Sequence, residues 1–240
     1  MDIKKALELI VEDSKSNNLN KPFVQNTNRF GKVIVSTDCK IMMVYKGVKD
    51  LGNLYQTLTY PNVETTFFVD GNNLLDLTNE KTMRTSSLRE ALKKAGKENK
   101  TIVIESAKCH ECDGTGYVQW KYKDRNGKEY SNEDTCPCCD NGFIAIKYKE
   151  IEVYKYNEAV KIEHGIVLSP TVLDKLLRVL DALEIDEFKY FTFVKRKDSV
   201  FNRLLIKHSD FIILVMPLNF SDLNDDFRII NIERQWKMKK

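Results

Sequence analysis

Four of the six cysteines stand in two Cys-x-x-Cys pairs, and they are the residues in this sequence that most strongly suggest chemistry. The first pair is Cys109 with Cys112, and the second is Cys136 with Cys139. Two such turns supply the four soft ligands that a structural zinc ion takes in a tetrahedron. Because four thiolates leave no position open for water, we expect a structural Zn²⁺ rather than a catalytic one.

Alternatives to this zinc site remain open. The same cysteines could form a redox pair or a set of buried free thiols. Cys138 could replace Cys139 as a ligand or be a spare thiol. His110 and Glu111 lie inside the first turn, and we expect both to face solvent.

The cysteine segment resembles the zinc knuckles of DnaJ-type chaperones, which carry the motif Cys-x-x-Cys-x-Gly-x-Gly. Cys112 is followed by Gly114 and Gly116 as in that motif, whereas the second copy has Asn141 in place of its first glycine. The resemblance covers only residues 109–142, and the sequence lacks the His-Pro-Asp tripeptide of those chaperones. A protein-folding cofactor is therefore one alternative function.

Three amphipathic helices are predicted around this segment, at residues 2–14, 87–95 and 169–183. Ser169 and Pro170 suit the start of the third helix, and Ser87 with Glu90 would form a capping box in the second. The first and third helices are each followed by short apolar runs that predict paired strands. Residues 2–46 and 169–216 thus share one order of elements, which suggests an internal repeat.

The two ends of the chain resemble the repeats of bacterial DNA polymerase sliding clamps. The run Phe211 to Leu218 contains the Met216-Pro217 signature with which those proteins end, and Gly31 to Asp38 resembles their strand with a Thr-Asp turn. Tyr60-Pro61-Asn62-Val63 resembles a segment between clamp repeats. The sequence departs from the family in its cysteine segment, in its continuation past Pro217, and in its length, since bacterial clamps have three domains.

This resemblance implies an α+β fold of the sliding-clamp type, in which helices pack on curved antiparallel sheets, with an inserted zinc-binding β-hairpin. It divides the chain into an N-terminal clamp-like half (1–107), a zinc-binding insertion (108–149), a C-terminal clamp-like half (150–220) and a tail (221–240). It also implies a non-enzymatic processivity factor, with a virus such as a phage as one source. Such a factor would form a homo-oligomeric ring on duplex DNA and tether a DNA polymerase or meet a clamp loader.

Basic residues on the predicted helices are the candidates for DNA contact. Because the apolar stripes must pack on a sheet, these residues should face outward, and in a clamp that face lines the hole. Contacts there would reach phosphates and would be independent of sequence. An ordinary solvated helix face has the same pattern, which leaves a second interpretation open. The candidate residues are Arg89, Lys93, Lys94, Lys175 and Arg178.

Composition limits the remaining functions. The net charge is only +3, from 38 basic and 35 acidic residues, so the whole chain is not an electrostatic binder of nucleic acid. No apolar run reaches the ~18 residues of a membrane span, and no signal peptide is recognised, so we expect a cytoplasmic protein without membrane contact. No phosphate-binding loop or catalytic motif is found, and His164 and His208 are expected in turns or at the surface.

The segment between the two cysteine pairs supports a further alternative, a zinc-containing nucleic-acid-binding or adaptor protein. Two strand-like arms of the predicted zinc hairpin, Tyr117 to Tyr122 and Phe143 to Tyr148, carry alternating aromatic and basic residues, and Asn126-Gly127 is a hairpin turn signal. Aromatic rings and cations together suit stacking and phosphate contact. The residues concerned are Trp120, Lys121, Tyr122, Lys123 and Arg125.

Overall fold

The computed structural model divides the chain into two compact units. Residues Met1–Gly96 with Tyr154–Lys240 form the main unit, and Lys97–Val153 form the inserted unit. The inserted unit is longer at both ends than the predicted insertion 108–149, because extended strands lead into and out of the cysteine segment. The structure describes residues 1–12, 19–49, 51–59, 62–69, 72–163, 166–193, 202–218, 223 and 226–232. Tyr60, Pro61, His164 and Trp236 lie outside these ranges, as does most of the predicted tail.

The main unit is built on a seven-stranded sheet in which every neighbouring pair of strands is antiparallel. In spatial order the strands are β1 (Phe23–Thr27), β2 (Gly31–Thr37), β3 (Ile41–Tyr45), β15 (Phe211–Val215), β14 (Arg203–Lys207), β13 (Glu187–Phe193) and β6 (Lys81–Arg84). The central strands are buried on both faces, which explains why their sequences are continuous apolar runs rather than alternating ones.

Three helices cover one face of this sheet: α1 (Ile3–Val11), α3 (Thr85–Lys93) and α4 (Pro170–Ala182). Ser169 caps α4 as predicted, since its Oγ accepts a hydrogen bond from the Val172 amide. The capping box predicted at Ser87 is wrong, because α3 begins two residues earlier and has no side-chain cap. The other face is covered by the short helix α2 (Val63–Thr66) and by buried Phe67 and Leu74.

Six of the seven strands of the sheet fall into two similar halves, in the order of elements that the repeat predicts, and β6 lies outside both halves. Each half is a helix followed by three consecutive strands, α1 with β1–β3 and α4 with β13–β15, and the halves join where β3 pairs with β15. Matching hydrogen bonds of 2.8 Å flank this junction. The Lys46 amide donates to the Asp210 carbonyl, and the Met216 amide donates to the Lys40 carbonyl. The two halves therefore meet edge to edge through one antiparallel pair of strands.

Two smaller sheets complete the main unit. A three-stranded sheet joins β12 (Ile166–Leu168), β11 (Glu158–Glu163) and β16 (Arg228–Asn231), with β16 parallel to β11. The segment predicted to be only a polar tail therefore contributes a strand. A minimal pair joins β4 (Phe68–Val69) to β5 (Asn72–Asn73).

The inserted unit contains two pairs of strands. The long strands β7 (Lys97–Lys108) and β10 (Phe143–Tyr154) pair with each other, and β8 (Tyr117–Lys123) forms an antiparallel hairpin with β9 (Glu129–Thr135). Among the described residues of the whole chain, no helix combines the length and apolar character needed to cross a membrane.

Candidate metal centre

The four predicted cysteine ligands lie together in the inserted unit. Their sulfur atoms all lie within 4.8 Å of one another, with 3.8 Å between Cys109 and Cys136 and 3.6 Å between Cys112 and Cys139. Four sulfurs at about 2.3 Å from a tetrahedral zinc ion would stand about 3.8 Å apart. The cluster therefore has the donor set and the spacing of a four-thiolate metal site, and it could hold a metal ion such as zinc.

Backbone hydrogen bonds between the two turns hold the sulfurs in place. The Cys109 amide donates to the Gly142 carbonyl, and the Cys136 amide donates to the Gly116 carbonyl, each at 2.8 Å. Each turn thus ties its first cysteine to the glycines that follow the other pair. The Gly116 amide in addition donates to the Cys112 sulfur at 3.3 Å.

Gly142 is the glycine on which this arrangement depends most. Its φ is +88°, and a Cβ there would stand 2.2 Å from the Gly114 carbonyl oxygen. Both the backbone conformation and the contact exclude a side chain. The glycine after the second cysteine pair therefore lets the two turns approach closely enough to share one metal.

The cluster shifts the pKa values of its thiols in opposite directions. Burial raises the pKa of Cys112, but hydrogen bonds from the Gly116 amide, the Cys139 thiol and the Gly114 amide outweigh it and bring that pKa to about 6. Burial raises the pKa of Cys139, and its hydrogen bond with Cys112 adds to this, so the value reaches about 12. One thiolate at Cys112 is thus favoured before any metal binds, and the thiols of Cys136 and Cys139, whose pKa values are raised, keep their protons more firmly.

The remaining residues of the two turns lie outside the cluster. Cys138 is exposed, while Cys139 contributes the fourth sulfur, so the structure favours Cys139 as the ligand. The side chains of His110 and Glu111 are 80% and 55% exposed, as expected for residues that face solvent. Cys39 is exposed in the turn between β2 and β3 of the main unit.

Four of the five predicted DNA-contacting residues lie on the sides of α3 and α4 that face away from the sheet. Most of them are already paired with acidic residues. Arg89 pairs with Asp181 of α4, and Lys93 pairs with Glu90 of its own helix. Arg178 pairs with Glu12, just after α1, and Lys94 is exposed at the end of α3. These contacts bring α1, α3 and α4 into one layer with a charged outer surface.

Lys175 is buried, and the prediction that it faces outward is wrong. Its ammonium group donates to an Asp38 carboxylate oxygen at 2.9 Å and to the Ile10 carbonyl at 3.2 Å. Its side chain is 9% exposed, and that of Asp38 is 10% exposed. Lys175 therefore links α4 to the β2–β3 turn and to the end of α1, and it has no access to a phosphate.

No protein-family model matches the sequence, and none of the curated proteins matches it. Among solved structures, the chain is similar to bacterial sliding clamps. Over about nine tenths of this chain it is 14% identical to the DNA polymerase III beta subunit of Thermotoga maritima (91% of this chain, 63% of that one, TM-score 0.42). The sliding clamp of Bacillus subtilis is 13% identical to this chain, and the match covers 90% of this chain and 62% of that one with a TM-score of 0.39.

A third similar structure is the beta clamp of Helicobacter pylori bound to a DNA ligase peptide. It shares 12% identity with this chain over 91% of this chain and 64% of that one, with a TM-score of 0.39. The chain thus spans less than two thirds of the length of these clamps. A likeness this loose assigns no function, which has to follow from the chain's own residues.

Proposed function

We propose that this protein is a non-enzymatic, sliding-clamp-like processivity factor that tethers a DNA polymerase to duplex DNA inside the cell. The observation that carries the proposal is the repeat within the main unit. Two copies of a helix with three strands share one sheet, and α1, α3 and α4 form a layer on one face of it. A layer of helices on a continuous sheet is suited to lining a hole, while the sheet forms the outer wall.

The outward face of the helix layer is the proposed DNA-facing surface. Arg89, Lys93, Lys94 and Arg178 supply its cations, and Lys175 is excluded because it is buried. Contacts from these side chains would go to phosphates, which position a protein on DNA without reading its sequence.

The ion pairs on this surface suit a protein that slides. An exposed pair such as Arg178 with Glu12 is worth only ~0–1 kcal/mol, so a phosphate can displace the carboxylate at little cost and be released as easily. The neighbouring acids also weaken the net attraction to DNA. We therefore infer brief, weak phosphate contacts rather than tight binding.

A ring would need several copies of this chain, because one chain of 240 residues is too short to encircle a duplex. Self-association into a closed homo-oligomer is part of the proposal, as is contact with a polymerase or a clamp loader. A monomer in solution at working concentrations would contradict the ring.

The duplex contact can be tested by reversing two charges, Lys93→Glu together with Lys94→Glu. We expect the variant to bind nicked circular duplex DNA more weakly, and the slope of log K against log salt to fall by about 1.8, since about 0.9 is lost for each phosphate contact. Folding should be unaffected, because exposed substitutions usually change stability by about 0.5 kcal/mol or less. A binding titration across a salt series measures the affinity and its salt slope, and thermal unfolding measures the stability.

The matched control is Lys147→Glu with Lys149→Glu, which makes the same charge change at exposed positions of β10. It should leave duplex binding unchanged. Equal losses in the two variants, or tight binding that depends on DNA sequence, would contradict the proposed surface.

We further propose that the cysteine cluster holds one structural Zn²⁺ per chain. Four buried or half-buried sulfurs at tetrahedral spacing support this, and no fifth position is offered to a substrate. A zinc ion would offset half of the charge of four thiolates and fix the two turns to each other. Metal analysis of protein purified under reducing conditions should find about one zinc per chain.

Zinc affinity should fall steeply as pH falls, because metal and protons compete for the same sulfurs. The raised pKa values of Cys136 and Cys139 mean that both thiols carry protons at pH 7 and release them on binding. Each displaced proton contributes about a tenfold loss of affinity per pH unit, so these two thiols alone account for about 100-fold. The dependence should steepen below about pH 6, where Cys112 also becomes protonated. Competition with a chromophoric chelator at a series of pH values measures the zinc affinity, and an affinity that does not change with pH would contradict thiolate ligation.

A further inference from the structure

The β8–β9 hairpin has no core of its own on either face. All residues of β9 are exposed, and every residue of β8 is exposed except half-buried Val118. A two-stranded hairpin is only marginally stable in water, and hairpins in proteins normally bury one face. Nothing in the described part of the inserted unit covers the residues between Val118 and the turn, so this surface is free for a partner.

One face of the hairpin collects the aromatic side chains. The strands pair in register with Tyr122 opposite Tyr130 and Trp120 opposite Asn132. Because successive side chains alternate between faces, the even-numbered residues share one side. We call this side the aromatic face, and its members are Val118, Trp120, Tyr122, Lys128, Tyr130, Asn132 and Asp134.

The rings of the aromatic face form a platform. Tyr122 and Tyr130 are stacked, with 5.1 Å between ring centroids and 13° between ring planes. The Lys128 ammonium lies 5.1 Å from the Tyr130 centroid, so that ring lies between a tyrosine and a cation. Tyr130 is accordingly the least exposed of the three rings at 37%, whereas Trp120 is 55% exposed and Tyr122 is 60% exposed. Trp120 and Tyr122 thus offer the available ring surface, and Tyr130 supports it.

The end of the hairpin beside this platform is positively charged. Residues 121–130 contain four basic and two acidic side chains. Glu129 is occupied by an ion pair with Lys123, and an Asp124 carboxylate oxygen accepts the turn amides of Asn126 and Lys128. Within the described residues, no carboxylate forms an ion pair with Arg125 or Lys128, so the turn end of the platform carries two cations outside any ion pair, while Lys121 lies on the opposite face of β8.

We propose that the aromatic face binds single-stranded DNA, with bases stacked on Trp120 and Tyr122 and phosphates near Arg125 and Lys128. Exposed rings beside unpaired cations are the combination by which proteins hold single strands without reading their sequence. The site lies entirely in the inserted unit and is independent of the helix layer proposed for duplex DNA.

The chemistry of the face favours a single strand over the other partners. Bases in a duplex are already stacked on one another and cannot lie on a ring, whereas those of a single strand can. The acids of the face stand at its two ends, Asp134 toward the cysteines and Asp124 in the turn, where the Asp124 carboxylate accepts the turn amides and the Tyr130 hydroxyl; no acid lies beside Trp120 and Tyr122, where the bases would stack.

The test uses the 240-residue chain purified with zinc and a dye-labelled oligothymidine of about 16 nucleotides, and binding is followed by fluorescence anisotropy. Trp120→Ala should weaken binding about 5- to 150-fold, the loss expected for one stacked base. Trp120→Phe keeps a ring and should lose much less. Arg125→Gln with Lys128→Gln, at the end of the hairpin away from the cysteines, should lower the salt slope by about 1.4.

Tyr117→Ala is the matched control, because Tyr117 lies on the opposite face of β8 with the same 55% exposure as Trp120. It should bind like the unchanged protein. Equal losses in Tyr117→Ala and Trp120→Ala, absence of binding to the oligomer, or preference for oligouridine or for duplex of the same length would overturn the proposal. The Lys93→Glu, Lys94→Glu variant should keep single-strand binding, so failure of the duplex proposal and failure of this one are separate results.

Discussion

We expect Cys112→Ser to release the proposed zinc ion and unfold the inserted unit, while the main unit keeps its structure. Cys112 supplies one of the four sulfurs and accepts the Gly116 amide, and a serine hydroxyl is a far weaker zinc ligand. We expect metal affinity to fall by roughly 10³-fold or more, given that such sites bind structural zinc with about 10–16 kcal/mol. The apolar core of the inserted unit is small, since only Val118 and Ile144 pack with the four cysteines, so little else would hold it folded.

Zinc content after dialysis against a weak chelator and hydrogen exchange resolved along the chain would measure this result. Protection should disappear in residues 97–153 and persist in the strands of the main unit. Cys138→Ser is the matched control, because this exposed thiol neighbours a ligand and lies outside the cluster. Loss of protection throughout the chain would show that the metal holds the whole fold, and full zinc retention in Cys112→Ser would show that this sulfur is no ligand.

Lys175→Met will destabilise the main unit by about 3 kcal/mol or more, because it leaves the Asp38 charge buried without its partner. The methionine fills a similar volume, so the loss arises from charge rather than from a cavity. Asp38 keeps two backbone donors, the amides of Lys40 and Ile41, which moderate the cost. Urea unfolding followed by circular dichroism measures the change in the free energy of unfolding.

Two comparisons separate this effect from a general loss of charge. Arg178→Met breaks an exposed pair one turn along the same helix and should cost about 1 kcal/mol or less. Adding Asp38→Asn to Lys175→Met removes both charges and keeps an oxygen for the turn amides, so the double variant should recover part of the loss. If Lys175→Met were no more harmful than Arg178→Met, the buried pair would contribute little to stability.

The features of this structure that could be predicted from sequence are determined by residues close together in the sequence. The helical stripe of α4 and its Ser169 cap are local patterns, and the cysteine spacing determines which sulfurs a turn can direct to one point. The repeat could also be predicted, because both copies keep the same order of elements. The choice between Cys138 and Cys139 required the turn itself, in which the first and fourth positions point inward.

The missed features depend on residues far apart in sequence. Lys175 resembles an outward lysine until Asp38, in a turn of the other half, is placed beside it. The strand β16 is short and partly polar, and only its pairing with β11 makes it a strand. The platform of Tyr122 and Tyr130 likewise depends on the register across the hairpin, which sequence alternation alone does not fix.

The pairing of β3 with β15 imposes an order on synthesis. Met43 pairs with Ile213, so β3 emerges from the ribosome long before its partner exists. At ~5–20 residues per second the delay is roughly 10 to 30 s. During that time the edge of β3 (Ile41–Tyr45) that will later pair with β15 has no neighbouring strand, and this apolar edge is open to pairing with other chains. The inserted hairpin, whose contacts are local, can close meanwhile around its cysteines. The nascent chain therefore completes its central sheet late, and this period is when it most needs protection from aggregation.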